Sequence, residues 1–135
     1  MRYYPALVRV VGFMWTLPNT VIGMLLGLLT FQVPRTAPGA LVFDRRPRGV
    51  SAPPLSRIVF RRFTAITFGH VILGRAPVDP ALLRHELAHV RQYDRWGPLY
   101  MPVYGALYLF YGYARHPFEL AAMREAGEVE TADLA

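Results

Sequence analysis

No charged residue occurs in residues 10–33, and most side chains in this run are apolar. At about 1.5 Å of helix rise per residue, the run is long enough to cross a hydrocarbon core of about 30 Å. Pro18 interrupts it, because proline removes a helical hydrogen bond and kinks or breaks a helix. Two arrangements are therefore predicted. One is a single kinked transmembrane helix, and the other is a short interfacial helix followed by a second, re-entrant helix over residues 21–31.

Two other interpretations of this run are weaker. A secretory signal peptide is usually shorter, and Ala37-Pro38-Gly39 is a poor cleavage site. A buried core helix would need more partner surface than the remainder of a 135-residue chain provides. We therefore predict that residues 1–33 anchor the chain in a lipid bilayer.

Arginine supplies all 15 basic residues, and the formal net charge is +6. These arginines do not cluster on a helix face beside stacking aromatic rings, so the pattern argues against a nucleic-acid partner. Contact with anionic lipid headgroups better explains those that follow the apolar run, namely Arg45, Arg46, Arg48, Arg57, Arg61 and Arg62. Only Arg2 and Arg9 precede the run, so if the run spans the membrane, the positive-inside rule places the C-terminal domain in the cytoplasm.

The composition limits the kind of domain that follows the anchor. Hydrophobic residues make up 53% of the chain and charged residues 18%, which is apolar for a soluble domain. There is no cysteine, so disulfides and thiolate metal sites are excluded, and any zinc must take nitrogen and oxygen ligands. We assign residues 34–126 to one domain and residues 127–135 to a flexible acidic tail.

Residues 79–98 carry start and stop signals of a helix. Asp79 is a good N-cap and Pro80 suits the first helical position. Gly97 followed by Pro98 ends the helix. The segment between these signals is therefore predicted to be helical throughout.

Inside this helix lies His85-Glu86-Leu87-Ala88-His89, the H-E-x-x-H pattern. Residues four apart lie one above the other, so His85 and His89 can bind one metal ion. Glu86 is rotated by about 100° from His85 and can act as a base toward a water at the ion. A chance match on an ordinary amphipathic helix is the alternative. We favour a metal site because the motif sits mid-helix between good caps in a chain with four histidines.

Three strands are predicted before this helix: a short one over residues 41–43 and two longer ones over residues 56–63 and 65–73. They are expected to form a small antiparallel sheet. A free edge of such a sheet can hold an extended peptide by strand addition. His70 lies in the strand predicted over residues 65–73. A lone histidine is more often a packed or hydrogen-bonded residue than a metal ligand, so His70 is the weaker candidate.

Residues 99–114 are apolar and rich in tyrosine. Four tyrosines fall on one helical stripe, which fits either the headgroup zone of a membrane or a core-facing surface: Tyr100, Tyr104, Tyr108 and Tyr111. A last helix is predicted over residues 116–126, with Glu119 in its first turn as the natural third metal ligand. If residues 99–114 crossed the bilayer, Glu119 would be separated from His89. We therefore expect that segment to lie in the interface or to loop back.

Several motifs together resemble a family of small, uncharacterised bacterial membrane-associated zincins. They are HELAH with the following RQYDRWGPLY, the preceding GHVILG, the later HPFE-x-x-A and the leading LPNTVIGMLLGLL. The resemblance covers most of the chain and implies a minimal gluzincin core at the bacterial inner membrane. It implies that His85, His89 and Glu119 bind Zn²⁺ and that Glu86 is the base. The family pattern tends to asparagine where this chain has His116, which therefore either caps the last helix or faces the metal or substrate.

Two functions of different class remain. The first is a membrane-associated zinc metallopeptidase that acts on a peptide or protein, with Tyr93, His70 and His116 as candidates for stabilising the transition state. The second is a non-catalytic subunit that packs against a larger membrane complex. The small size and apolar composition of the chain favour the second, whereas the H-E-x-x-H motif favours the first.

Overall fold

In the computed structural model, which describes residues 6–128, the chain is an α+β protein with an N-terminal apolar helix and a small sheet. The elements in chain order are α1 (Ala6–Leu29), β1 (Val33–Ala37), β2 (Ala40–Arg45), α2 (Pro54–Val59), β3 (Ala65–Phe68), β4 (Val71–Gly74), α3 (Pro80–Trp96), a 3-10 turn (Gly97–Leu99), α4 (Tyr100–Tyr111) and α5 (Pro117–Glu125). Of the predicted acidic tail, residues 129–135 lie outside the described part.

The sheet has the strand order β1-β2-β4-β3 and is mixed. The β1–β2 and β3–β4 pairs are antiparallel, but β2 and β4 are parallel, so the predicted all-antiparallel sheet is wrong. Strands β2 and β4 are parallel because the chain does not turn directly from one into the other. It passes through α2 and then through β3, which runs antiparallel to β4, so that β4 has the same direction as β2. All four residues of β4 are buried, as is usual for a strand covered on both faces.

Two of the predicted strands differ from the structure. Residues 56–63 were expected to form a strand, but they include most of α2, because Pro54 occupies the first turn of a helix rather than ending regular structure. Residues 65–73 form a hairpin instead of one strand. Gly69 has a φ of 60° in its two-residue turn, so His70 lies in the turn and not within a strand.

The sheet separates two small cores. Alternate side chains of β2 and β4 point to opposite faces. On one face Val42 and Ile72 pack with residues of α3 and the loop before it, such as Val90. On the other face Phe43 and Val71 pack with α2, its C-terminal flank and Leu26 of α1. The sheet therefore fixes α3 on one side and α1 on the other.

The apolar run forms one helix, α1, that continues through Pro18. The alternative of a separate second helix over residues 21–31 is therefore wrong. One stripe of α1 is buried, continues to Thr30 just after the helix, and consists of small or polar residues: Gly12, Thr16, Asn19, Thr20, Gly23, Gly27 and Thr30. By length and composition Val10–Leu29 could cross a membrane, although a core helix or a signal sequence can have the same properties.

Glycine allows α1 to approach the sheet closely. A Cβ atom on Gly27 would lie 2.5 Å from ring atoms of Phe43, and one on Gly23 would lie 2.8 Å from Val71. Thr16 and Thr20 satisfy their hydroxyls on carbonyls of the preceding turn, so they can be buried against the domain. The buried stripe is therefore a packing surface.

Candidate metal centre

Helix α3 begins and ends where its capping residues predict. The Asp79 side chain accepts a hydrogen bond from the Leu82 amide at 2.8 Å, and Pro80 is the first helical residue. At the other end Gly97 adopts a φ of 56°, which ends the helix. The prediction from the sequence is confirmed, and it places the H-E-x-x-H motif in the middle of α3.

Three atoms that could bind one metal ion converge between α3 and α5, and we call their residues the three candidate ligands. The Nε2 atoms of His85 and His89 are 3.2 Å apart, and they lie 3.1 and 3.2 Å from Oε2 of Glu119. Two ligands about 2.0–2.1 Å from one ion at a tetrahedral angle are roughly 3.3 Å apart. All three residues are buried, and the group could hold a metal ion. The structure thus brings together the three residues predicted as ligands.

The electrostatic environment of His85, His89 and Glu119 favours a positive charge among them. Burial lowers the pKa of His85, but its hydrogen bond to Glu119 and the nearby carboxylates outweigh burial and raise that pKa to about 9. The pKa of His89 is also raised, and the two imidazoles hold the pKa of Glu119 far below its usual range despite burial. A buried carboxylate between two imidazoles needs positive charge beside it, which a proton or a metal ion can supply.

A carboxylate that the sequence analysis missed orients His85. Nδ1 of His85 lies 3.1 Å from Oε2 of Glu128, just beyond the end of α5. A metal-binding histidine usually donates its second ring N–H to such an acceptor, which fixes its tautomer. The sequence alone places Glu128 in the flexible acidic tail, because acidic and small residues surround it.

The His89 ring is also oriented by a residue that was not predicted from the sequence, Gln92. Its Nδ1 lies 2.9 Å from Oε1 of Gln92, one turn later on α3. The Gln92 amide in turn donates to the Phe118 carbonyl at 2.8 Å, and the Tyr100 hydroxyl also donates to Gln92 Oε1. Gln92 therefore links His89, one candidate ligand, to the residue before Glu119, another candidate ligand. Gln92 lies three residues after His89, so the two side chains share one face of the helix, and this spacing could have predicted their contact.

Glu119 is oriented by α4. The Tyr104 hydroxyl donates to Oε1 of Glu119 at 2.6 Å, which leaves Oε2 directed at the two imidazoles. Helix α4 ends at Tyr111, and at Gly112, whose φ is 70°, the chain turns back toward α3. The expectation that residues 99–114 do not carry Glu119 away from His89 is confirmed.

His116 caps α5 and does not face the three ligands. Its Nδ1 accepts from the Phe118 amide at 3.1 Å, and its Nε2 donates to the Tyr104 carbonyl at 2.9 Å. Its ring also stacks on Tyr104 at 4.0 Å. Both ring nitrogens are thus used on the backbone, so His116 holds α4 against the start of α5.

Glu86 faces the same side of α3 as the ligands. Its Oε2 accepts a hydrogen bond from the Thr67 hydroxyl at 2.7 Å, and the carboxyl is buried. Burial raises the pKa of Glu86, although the imidazoles and Thr67 oppose this change. Glu86 and the three ligands line one cavity of about 180 Å³. A buried carboxyl with a raised pKa can accept and return a proton.

Neither His70 nor Tyr93 is directed at the ligands. His70 lies 2.7 Å from Asp94 through Nε2 and 3.1 Å from the Gly39 carbonyl through Nδ1. The Tyr93 hydroxyl donates to the Thr67 carbonyl at 3.1 Å, and burial raises its pKa. Tyr93 lines the cavity but has its hydroxyl engaged, whereas His70 joins the β3–β4 turn to α3.

Comparison of the chain with protein-family models, with curated proteins and with solved structures finds no match, so the resemblance to membrane-associated zincins stays a prediction.

Proposed function

We propose that this protein is a membrane-associated, zinc-dependent peptide hydrolase. The observation that carries the proposal is the convergence of His85, His89 and Glu119 beside Glu86 in one cavity. Two imidazoles and one carboxylate are a frequent ligand set of catalytic zinc. Within residues 6–128, no other His, Asp or Glu belongs to this group, so a fourth position is left for water or substrate.

A zinc ion held there would polarise a peptide carbonyl and lower the pKa of water. Glu86 would take a proton from the water whose oxygen adds to the carbonyl carbon. It would then return that proton to the leaving nitrogen as the carbon–nitrogen bond breaks. Thr67 holds the Glu86 carboxylate by one oxygen, so the other oxygen remains for this transfer.

The edge strand β3 suits an extended substrate. The Arg75 amide donates to the Thr64 carbonyl at 2.8 Å, and bonding alternates along an antiparallel pair. The N–H and C=O of Ala65 and Thr67 therefore turn away from β4. Both residues line the cavity beside Glu86. Of their four outward backbone groups, the Tyr93 hydroxyl bonds to the Thr67 carbonyl only. A peptide pairing with Ala65 would pass directly by the ligands.

The size and lining of the cavity indicate which kind of substrate side chain could enter it. Besides the polar residues, its walls are apolar and include Phe63, Ile66 and Met101. A dry cavity of about 150 Å³ accepts a benzene-sized group, so about 180 Å³ accommodates one apolar side chain. We infer a preference for a peptide with an apolar side chain next to the cleaved bond.

The test compares two variants in detergent with zinc supplied. Glu86→Gln should keep the metal but lose hydrolysis of a peptide library by several powers of ten, as expected for loss of a general base. Glu125→Gln is the matched control, because Glu125 is partly exposed and pairs with Arg91. Equal cleavage by Glu86→Gln and the control would overturn the proposed role of Glu86.

A second candidate function is a non-catalytic subunit of a membrane complex. It is favoured by Leu109 and Phe110 of α4, which are 87% and 85% exposed. Large exposed apolar side chains often mark a binding surface. For such a subunit, Glu86→Gln would leave the cellular phenotype of the wild type unchanged, whereas Leu109→Asp with Phe110→Asp would abolish function. The enzyme proposal expects loss of function with Glu86→Gln.

A further inference from the structure

The face of α1 opposite its buried stripe is apolar and exposed. It carries no charged side chain from residue 10 onward, and its exposed large residues are Val10, Val11, Phe13, Met14, Trp15, Leu17, Val21, Ile22, Met24, Leu25, Leu28 and Leu29. A contiguous apolar face of this size is unusual on a protein surrounded by water. We call it the outward face of α1.

The folded domain covers the other side of α1 from Gly12 to the end of the helix. Near the start, Gly12 packs against the Asp94 side chain of α3. In the middle, the Thr20 hydroxyl accepts a hydrogen bond from the His70 amide at 3.1 Å. At the end, Arg46 Nε donates to the Thr30 carbonyl at 2.9 Å. From residue 12 to residue 30 a helix rises about 27 Å, which is close to the thickness of a bilayer core.

This lateral packing conflicts with a helix that spans the membrane. If α1 stood perpendicular to the bilayer, the elements packed beside it would lie at the depth of the hydrocarbon. The partly exposed Arg91–Glu125 pair of α3 and α5 and the His70–Asp94 pair would then face lipid. Charged groups facing lipid are costly and rare. The domain cannot remain folded on α1 and also stay outside a bilayer that α1 crosses.

We propose that α1 lies in the plane of the membrane, with its outward face inserted into one leaflet and the whole folded domain on one side. The occupant of the outward face is then the acyl and headgroup boundary of a bilayer. The inference rests on the membrane attachment in the proposed function, but it replaces the spanning and re-entrant arrangements by one in-plane helix.

The charge around the end of α1 fits anionic lipid. Arg46, Arg57 and Arg75 line one surface depression of about 270 Å³. Within residues 6–128 no carboxylate pairs with any of the three. Guanidinium groups bind phosphate oxygens well, so this depression, which Arg46 joins to the end of α1 through the Thr30 carbonyl, is suited to anionic headgroups.

The absence of cysteine permits a clean test of topology. Single cysteines would replace Ala6 at the start of α1, Ser51 on the domain surface and Val21 in the middle of the outward face. Each full-length variant would be labelled with a membrane-impermeant maleimide in intact spheroplasts and in inverted inner-membrane vesicles. We expect Ala6→Cys and Ser51→Cys to react in the same preparation only, and Val21→Cys to react in neither until detergent is added.

Each other outcome contradicts a stated part of the inference. Labelling of Ala6→Cys and Ser51→Cys in opposite preparations would show a spanning helix. Labelling of Val21→Cys in intact membranes would show that lipid does not cover the outward face. Protection of Val21→Cys in detergent would instead show a protein occupant.

Vesicle flotation separates failure of attachment from failure of the in-plane arrangement. Wild-type protein should float with vesicles of phosphatidylglycerol and phosphatidylcholine and less with phosphatidylcholine alone. The triple variant Arg46→Gln, Arg57→Gln, Arg75→Gln should lose most of this preference, while a variant with Arg84, Arg91 and Arg124 changed to Gln should keep it. No flotation of the wild type would overturn the membrane attachment itself, and equal flotation with both lipids would overturn the headgroup role.

Discussion

Oε2 of Glu119 lies 3.2 Å from Nε2 of His89, although the two residues are 30 positions apart and on different helices. The connection is made by α4, which leaves α3 at the 3-10 turn and returns at Gly112. The same helix supplies Tyr100 and Tyr104, which bond to Gln92 and Glu119. The tyrosine-rich segment therefore both returns the chain toward α3 and orients two residues of the candidate metal centre, Gln92 and Glu119.

Replacing Gln92 should weaken metal binding without removing a ligand. Gln92→Leu removes the donor to the Phe118 carbonyl and one of two hydrogen-bond partners of His89 Nδ1, the other being the Tyr100 hydroxyl. Loss of such an outer partner typically costs about 10–100-fold in metal affinity. Competition titration with a zinc chelator measures the change, and Arg91→Gln on the adjacent surface is the control. An unchanged affinity for Gln92→Leu would mean that His89 is not oriented through Gln92.

Replacing Glu128 should act in the same direction but less strongly. Its side chain is about one-third exposed, so water can replace it as the acceptor of His85 Nδ1. We expect Glu128→Gln to lower zinc affinity by roughly tenfold or less. Truncation before residue 128 should match this loss in the same titration. A full-length Glu128→Gln protein with wild-type affinity would remove Glu128 from the account.

These two residues show how much of the centre could be predicted from the sequence. Helix caps and a spacing of four are local signals, which can be read from the sequence alone. They predict the site residues His85, Glu86, His89 and Glu119. Gln92 also has a local signal, because it lies three residues after His89 on the same helix. Glu128 has none, because it contacts His85 from just beyond the end of α5, and the composition around Glu128 indicates only a tail.

The fold was predicted less well where it depends on distant pairing. The parallel β2–β4 pair cannot be deduced from either strand alone, because their contact depends on how α2 and β3 cross between them. The strand predicted over residues 56–63 was wrong because Pro54 is also compatible with a helix start. The role of His70 was likewise hidden, since its partner Asp94 is 24 residues away.

Zinc affinity should rise with pH up to about 9. The pKa of His85 is about 9 because its hydrogen bond to Glu119 and the nearby carboxylates outweigh the effect of burial, so below that pH a proton competes with the metal. Chelator competition at pH 6, 7, 8 and 9 should show increasing affinity. The same affinity at pH 6 and pH 9 would contradict the protonation of His85 in the metal-free protein.

The metal-free protein should show the opposite trend in stability. The pKa of His85 is raised from its ordinary 6.5 to about 9 on folding, so its stabilising protonation is complete below about 6.5. That contribution is lost as the pH rises toward about 9. Denaturant midpoints in detergent with a chelator present should therefore fall across this window. Midpoints that rise with pH would mean that another group dominates.

Gly27→Ala should loosen α1 from the sheet. The added methyl group would lie 2.5 Å from Phe43 ring atoms, and overpacking of this kind costs about 1–3 kcal/mol. Gly105→Ala in α4 is the control, because no atom lies within 4 Å of its added Cβ and alanine stabilises a helix by about 0.5–1 kcal/mol. Denaturant unfolding in detergent compares them. Equal stability of the two variants would contradict close packing of α1 on Phe43.

Metal content is the most direct test of the central claim that His85, His89 and Glu119 form a metal centre. Elemental analysis of protein purified without chelators should give about one zinc per chain for the wild type and for Glu125→Gln. His89→Ala and Glu119→Ala should contain almost none, because two remaining ligands do not hold zinc tightly. A wild-type protein that takes up no metal at pH 8 with zinc supplied, or a His89→Ala variant that retains a full equivalent, would contradict the account.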